Sequence, residues 1–160
     1  RRMLGEVAWT DDPEAFVRER ELGPDLLDPG LDTGALSERI AARRRSLKAA
    51  LMDQSLVAGF GNVYVDEALF QAGLDPRSRT EALPPDRVRE VLNTARRVAR
   101  TASRHREGHR VVVASLPRGW LLPHREEGAD CPRGCGGRVV KRTVSGRSAY
   151  LCSRCQDRVS

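Results

Sequence analysis

Cys131, Cys135, Cys152 and Cys155 are the only cysteines among the 160 residues, in the order C-x3-C-x16-C-x2-C. Two close pairs separated by the length of a hairpin bring four thiolates to one point, the tetrahedral donor set that suits zinc. With every position filled by protein, no open site remains for a reacting water, so the expected ion is one structural Zn2+. The intervening RVVKRTV and RSAYL alternate apolar and polar residues about Ser145-Gly146, the pattern of a two-stranded ribbon. A hairpin that small does not hold together without a staple. Two disulfides in a secreted module and a redox dithiol are the competing chemistries. The opening RRMLGEVAWT lacks the apolar stretch of a secretory signal, and a dithiol needs only one of the two pairs.

A second group is Gly59-Phe60-Gly61-Asn62. Gly59 and Gly61 permit a close backbone turn, and Asn62, at the start of the helix expected to follow, can cap it. Free N–H groups at that helix start, beside an amide side chain, form a site for phosphate. A plain packing turn between two helices uses the same residues, so the turn alone leaves both readings open.

The remaining chain supplies the elements that position these groups. Asp12 before Pro13 opens a short helix over about 12–20. Residues 22–34 are punctuated by Gly23, Pro24, Pro29, Gly30 and Gly34 and read as a surface loop. Leu36, Ile40, Leu47 and Leu51 recur at helical spacings, giving helices over about 35–44 and 47–53, with another over 62–72. Pro84 and Pro85 open a long helix reaching to near Gly108, with Val88, Val91, Leu92, Ala95, Val98 and Ala99 in one apolar stripe. Residues 4–10 read as a strand parted from its sheet. Val111 to Val113 and Leu121 to Leu122 read as short extended pieces, with Trp120 as an anchor. The expected fold is mainly α: a remnant strand within 1–10, a helical domain over 11–108, a linker over 109–130 and a small β-hairpin zinc module over 131–160.

The net charge is +6, and all but two of the 28 cations are arginine. Residues 1–30 carry a net −4, whereas 86–125 carry +7 and 131–160 carry +6. A positive field concentrated in the C-terminal half suits phosphates, although a GC-rich genome also produces an arginine skew. No apolar run approaches the roughly 18 residues of a membrane-spanning helix, which excludes a helical membrane protein.

LMDQSLVAGFGNVYVDEALF resembles the helix-two-turn-helix signature of the formamidopyrimidine-DNA glycosylase and endonuclease VIII family. CPRGCGGRVVKRTVSGRSAYLCSRCQ resembles that family's C-terminal zinc finger. The two motifs stand in the family's order, and the resemblance runs over nearly the whole chain. RRMLG is similar to the end of the family's N-terminal domain, the rest of which is absent from this sequence. One departure lies in the first cysteine pair, with three intervening residues where the family usually has two. The resemblance implies that Asn62, on the turn of Gly59 and Gly61, binds the backbone phosphates flanking a lesion. It implies that Arg147 grips the same phosphates and donates a proton in the delta-elimination step. Arg43 to Arg45 and Lys48 fall in the basic stretch that contacts DNA, and Arg1 and Met3 where some members insert an Arg and an apolar wedge into the base stack.

On this resemblance the chain is the DNA-binding C-terminal half of a bifunctional DNA glycosylase and AP lyase of base-excision repair. Its expected partner is double-stranded DNA bearing an oxidised base or an abasic site, bound by a monomer in the bacterial cytoplasm, at the nucleoid. The family's nucleophile is the amine of an N-terminal Pro followed by a Glu, and neither is present here. Neither Lys48 nor Lys141 lies in a stretch that would desolvate it enough to substitute, so the segment alone is expected to be inactive. HREEG at 124–128 looks slightly closer to endonuclease VIII, hence oxidised pyrimidines. The alternative is a stand-alone, non-catalytic module for damaged or abasic DNA. Chelation of the zinc is expected to unfold the ribbon while sparing most of the helices.

Overall fold

The computed structural model describes residues 9–108 and 110–160. Arg1, Met3 and most of the strand expected over 4–10 lie outside them. Five helices follow in order, α1 (Pro13–Glu19), α2 (Thr33–Ala41), α3 (Leu47–Leu51), α4 (Asn62–Ala72) and α5 (Pro85–Arg104). Two antiparallel hairpins complete the chain, β1 (Arg106–Glu107) with β2 (Arg110–Val111), and β3 (Val139–Val144) with β4 (Arg147–Cys152).

Side-chain caps set the helix starts. The Asp12 carboxylate accepts the Ala15 amide with Pro13 at the first helical position. Asp32 accepts the amides of Gly34 and Ala35, so α2 begins at Thr33 rather than near 35, and it closes at Ala41 rather than 44. Ser46 caps α3 through the Ala49 amide. The long helix α5 ends at Arg104, short of the expected Gly108, because the chain there turns into the β1–β2 hairpin.

The apolar stripe of α5 lies on α2 and α4. Val88, Val91, Leu92 and Ala95 share a core with Leu36, Ile40, Leu51, Val65, Ala68 and Leu69. Full burial of each larger aliphatic side chain is worth about 1.5–3 kcal/mol. Further along α5, Val98 and Ala102 pack with Leu116 and with Trp120, which is 7% exposed, so the tryptophan anchors the linker to the helix. The loop over 22–34 is tied down at its start, where Gly23 N donates to Gln54 O and Ala58 N to Pro24 O, and Leu26 enters the core.

The linker differs from its expected form. Only Arg110–Val111 is strand, while Val113–Ser115 and Leu122–His124 are single turns of 3-10 helix. The second turn has a cause in α4. The buried Glu67 carboxylate accepts the Leu121 and Leu122 amides at 3.2 and 2.7 Å, holding the start of that turn in place of an extended run.

The β3–β4 ribbon reverses at Ser145 and Gly146, both with positive φ, pairing Val144 with Arg147 as a two-residue turn does. It packs β4 on α4, around a small core of Phe70, Leu121, Cys131, Val139 and Cys152. The C-terminal residues stitch the same junction, with Asp75 N on Asp157 O at 2.8 Å and Asp157 N on Gly73 O at 2.9 Å. Among the described residues no helix is long and apolar enough to cross a membrane.

Candidate metal centre and nucleic-acid interface

The sulfur atoms of Cys131, Cys135, Cys152 and Cys155 all lie within 4.8 Å of one another. Cys131 and Cys155 are 3.8 Å apart and Cys135 and Cys152 3.4 Å. A tetrahedral zinc with Zn–S near 2.3 Å sets its sulfurs about 3.8 Å apart, so the donor set fits. All four cysteines are free thiols, which removes the two-disulfide alternative. The extra residue in the first pair does not displace a ligand.

Backbone amides point at two of the four sulfurs. Gly137 N points at Cys135 Sγ and Arg154 N at Cys152 Sγ, each at 3.4 Å. Burial alone would raise the Cys152 thiol, but the Arg154 and Cys155 amides and the thiols of Cys135 and Cys155 outweigh it and bring the group to about 7. Cys155 is pushed the other way, by burial and then by Cys152 and Cys131. A divalent cation relieves that crowding of charge. A Cβ at Gly137 would fall 2.8 Å from Cys152 Sγ and 2.7 Å from Arg154 Cβ, with no room for either to yield freely. Gly137→Ala should therefore weaken zinc binding by about 10-fold or more, measured by competition with a chromophoric chelator; unchanged affinity would show that the knuckle adapts.

The glycine turn is built by residues that carried no assigned role in the sequence. Gly59 adopts φ +80, the left-handed region open to glycine. Gln54 braces it from inside, its Oε1 accepting Gly59 N and its Nε2 donating to Phe60 O, both at 3.1 Å. Asp53 accepts the Ser55 amide and hydroxyl and Arg45 Nη1. The Ser55 hydroxyl, with Arg45 adding to it against a cost of burial, holds the Asp53 carboxyl below its ordinary range. Both residues lie in the stretch LMDQSL, and their value as turn acceptors is the signal that would have found them.

Asn62 does not cap α4. Gly61 is the N-cap, with no side-chain bond to the helix start. The Asn62 Oδ1 is buried and has no hydrogen-bond partner among the described residues. A phosphate accepts hydrogen bonds, so what Asn62 can offer one is its Nδ2 N–H donors, not this oxygen.

Arg147 is exposed at the first position of β4, and its side chain makes no hydrogen bond or ion pair among the described residues. It lines a cleft of about 220 Å3 with Arg45, Lys48, Met52, Asp53, Val144 and Ser145. The guanidinium of Arg45, held 2.9 Å from Asp53, lines the same cleft from the α3 side. Arg43 and Arg44 are exposed on the turn before α3. Gly59 lines a different cleft, of about 320 Å3, with Tyr64, Ser103 and Arg106.

Lys48 corrects the expectation that neither lysine is desolvated. It is 1% exposed, with Nζ 2.5 Å from Asp66 Oδ1 and 2.7 Å from Ser148 O. Burial lowers its pKa, with Asp66 opposing the shift. The expectation that neither lysine is desolvated holds only for Lys141, which is exposed on β3. Asp66 lies on the next helix and Ser148 on the ribbon, and no local pattern in RRRSLKAAL announces either.

The elements and the site together define a helix-two-turn-helix fold joined to a zinc ribbon. Residues 22–112 match the family described as the formamidopyrimidine-DNA glycosylase H2TH domain, and residues 130–158 match the zinc finger found in FPG and IleRS. The chain belongs to the formamidopyrimidine-DNA glycosylase H2TH family, and its four cysteines hold the single structural zinc of the finger.

The formamidopyrimidine-DNA glycosylase of Thermomicrobium roseum is 39% identical over 97% of this chain and 56% of its own length. That of Laribacter hongkongensis is 34% identical over 97% of this chain and 59% of its own. Among solved structures, the Lactococcus lactis FPG (MutM) complex with FAPY-dG containing DNA superposes with a TM-score of 0.74 at 25% identity. It covers 90% of this chain and 54% of that one. MutM in complex with carbocyclic 8-oxo-G containing DNA gives 0.74 at 23%, covering 93% and 56%. The chain thus spans a little over half the length of these relatives. Their names do not follow the lean of residues 124–128 toward endonuclease VIII.

Proposed function

We propose that the chain is the DNA-clamping C-terminal half of a DNA glycosylase with AP lyase activity, acting on duplex DNA that holds an oxidised base or an abasic site. Residues 11–108 form its helix-two-turn-helix domain, 109–130 its linker and 131–160 its finger, and it works as a monomer on the bacterial nucleoid. The observation that carries this reading is the cleft where Arg147 from the ribbon turn, with no side-chain partner among the described residues, meets Arg45 beside α3. Two guanidiniums from separate parts of the fold, of which only Arg45 is paired with a carboxylate, that of Asp53, suit a backbone phosphate. The Asn62 side chain at the start of α4, donating through Nδ2, supplies a second contact. Arg43, Arg44 and the arginine face of α5 at Arg96, Arg97, Arg100 and Arg104 add a field without sequence preference. The relatives named as glycosylases support the parent activity.

In that activity an amine forms a bond to C1′ of the lesion sugar as the bond to the base breaks, and the resulting Schiff base drives two eliminations. Arg147, on the phosphate, donates a proton in the second. The amine comes from outside the elements described. Lys48 does not provide it, because its Nζ is engaged by Asp66 and Ser148 O and shielded from solvent.

Fluorescence anisotropy with a duplex carrying a tetrahydrofuran abasic analogue should show binding by these 160 residues. Borohydride added to a true abasic duplex should trap no covalent complex. Joining the N-terminal half of a relative should restore trapping and strand cleavage. Efficient trapping by the 160-residue chain would place the nucleophile within it and end this division of labour.

A further inference from the structure

Asp66 sits on α4 with 0% of its side chain exposed and gathers donors from three other parts of the fold. Its Oδ1 takes Lys48 Nζ from α3, and its Oδ2 takes Arg125 Nη2 from the linker at 2.6 Å and Tyr150 N from β4 at 3.1 Å. Lys48 completes the set by donating to Ser148 O, and the Arg125 guanidinium lies 4.5 Å from the centre of the Tyr150 ring.

The register of the ribbon explains why those two backbone groups need partners. Val144 faces Arg147 across the two-residue turn, Arg142 faces Ala149, and Val140 faces Leu151. These pairs exchange ladder bonds with β3, so the intervening Ser148 and Tyr150 turn their backbone groups to the outer edge of β4. That edge lies against α4, where no third strand is present among the described residues. A lysine and an aspartate therefore do what a third strand would do, bonding one carbonyl and one amide on either side of Ala149. Buried ion pairs of this kind add little net stability over apolar packing, and their best-attested use is to select one register. A slip of β4 by one residue would exchange its faces and carry Arg147 off the cleft.

We propose that Lys48, Asp66 and Arg125 are positioning residues that fix β4 against α4 and so hold the Arg147 guanidinium over the cleft it shares with Arg45. This rests on the assignment of Arg147 as a phosphate contact. The zinc finger and the helix-two-turn-helix unit are then one DNA-binding surface set by a polar hub, not two modules docked independently.

The test is a double-mutant cycle on affinity for the tetrahydrofuran duplex, with zinc content confirmed at one per chain for every variant. Lys48→Met leaves Asp66 paired with Arg125, and Arg125→Met, at a site 18% exposed, is the milder second variant. Each should weaken binding by about 10-fold when Arg147 is present and by less than about 2-fold when Arg147 is already alanine, the signature of coupled sites. A variant that merely loosened the fold would lose affinity equally in both backgrounds, and that result, or no loss at all, overturns the positioning role. If Arg147→Ala alone binds as well as the parent, the phosphate assignment falls first and this inference with it.

Discussion

Stripping the zinc should unfold residues 131–155 and also lower the stability of the helices that the ribbon rests on. Structural zinc contributes an apparent 10–16 kcal/mol or so at neutral pH, comparable to or larger than the whole stability of a typical domain, about 5–15 kcal/mol. Were the ribbon an appendage, that loss would stay within it, as the cysteine spacing alone suggests. The structure ties it to α4 in three ways. Phe70 packs with Cys131 and Cys152 in one core. Gln156 joins Cys152 N to Leu74 O through its side-chain amide. Asp66 and Lys48 spend bonds on Tyr150 N and Ser148 O that vanish when β4 melts. Breaking a buried charged network by removing partners costs about 3–5 kcal/mol. At about 2–4 °C per kcal/mol for a chain of this size, the helical transition should fall by roughly 6–20 °C. Circular dichroism at 222 nm during thermal melts, with and without chelator, measures the shift. Hydrogen exchange should show the loss concentrated over 66–72, with the α2–α5 contact least affected. An identical Tm for the helical signal would mean that the ribbon and the helices fold independently.

What could be read from the sequence was local. Four cysteines, an alternating hairpin and a Ser-Gly turn are determined within 25 residues or so, and each follows from covalent spacing and pleat. The α5 stripe is a property of one helix, and its register against α2 and α4 adds nothing to its recognition. What escaped was set by partners distant along the chain. Lys48 reads as a surface cation because its flanks are RRRS and AALMD, and only the arrival of Asp66 and Ser148 makes its burial tolerable. Leu121 and Leu122 read as extended because nothing nearby reveals that Glu67 will accept their amides. The β1–β2 hairpin has two residues per strand, too few for an alternation to show. Asn62 is a good capping type at a helix start, yet Gly61 takes the N-cap position and leaves the amide free. Capping would have used only the Oδ1 acceptor and left the Nδ2 donors, so the phosphate contact expected of Asn62 does not depend on the capping role.

Arg147→Ala and Asn62→Ala should each weaken duplex binding, and they should differ in how salt modifies the loss. A hydrogen bond to a charged group is worth about 1.5–3 kcal/mol, so each substitution is expected to raise Kd by about 10- to 150-fold. Arg147 carries a full charge to the phosphate and releases a counterion on binding. Removing it should reduce the slope of log K against log salt by about 0.9. Asn62 is neutral and acts through geometry and hydrogen bonding at the start of α4, so its loss should lower the line without changing the slope. Lys141→Ala, on an exposed residue of β3 outside the cleft, serves as a control for nonspecific charge. The ratio of affinities for abasic and intact duplexes should stay the same in both variants, because phosphate contacts position the protein without reading the base. Titrations at four or five salt concentrations with both duplexes separate these outcomes. A change in slope for Asn62→Ala, or a full slope retained by Arg147→Ala, would assign the charge contact elsewhere, with Arg45, the other arginine of the cleft, the first to examine.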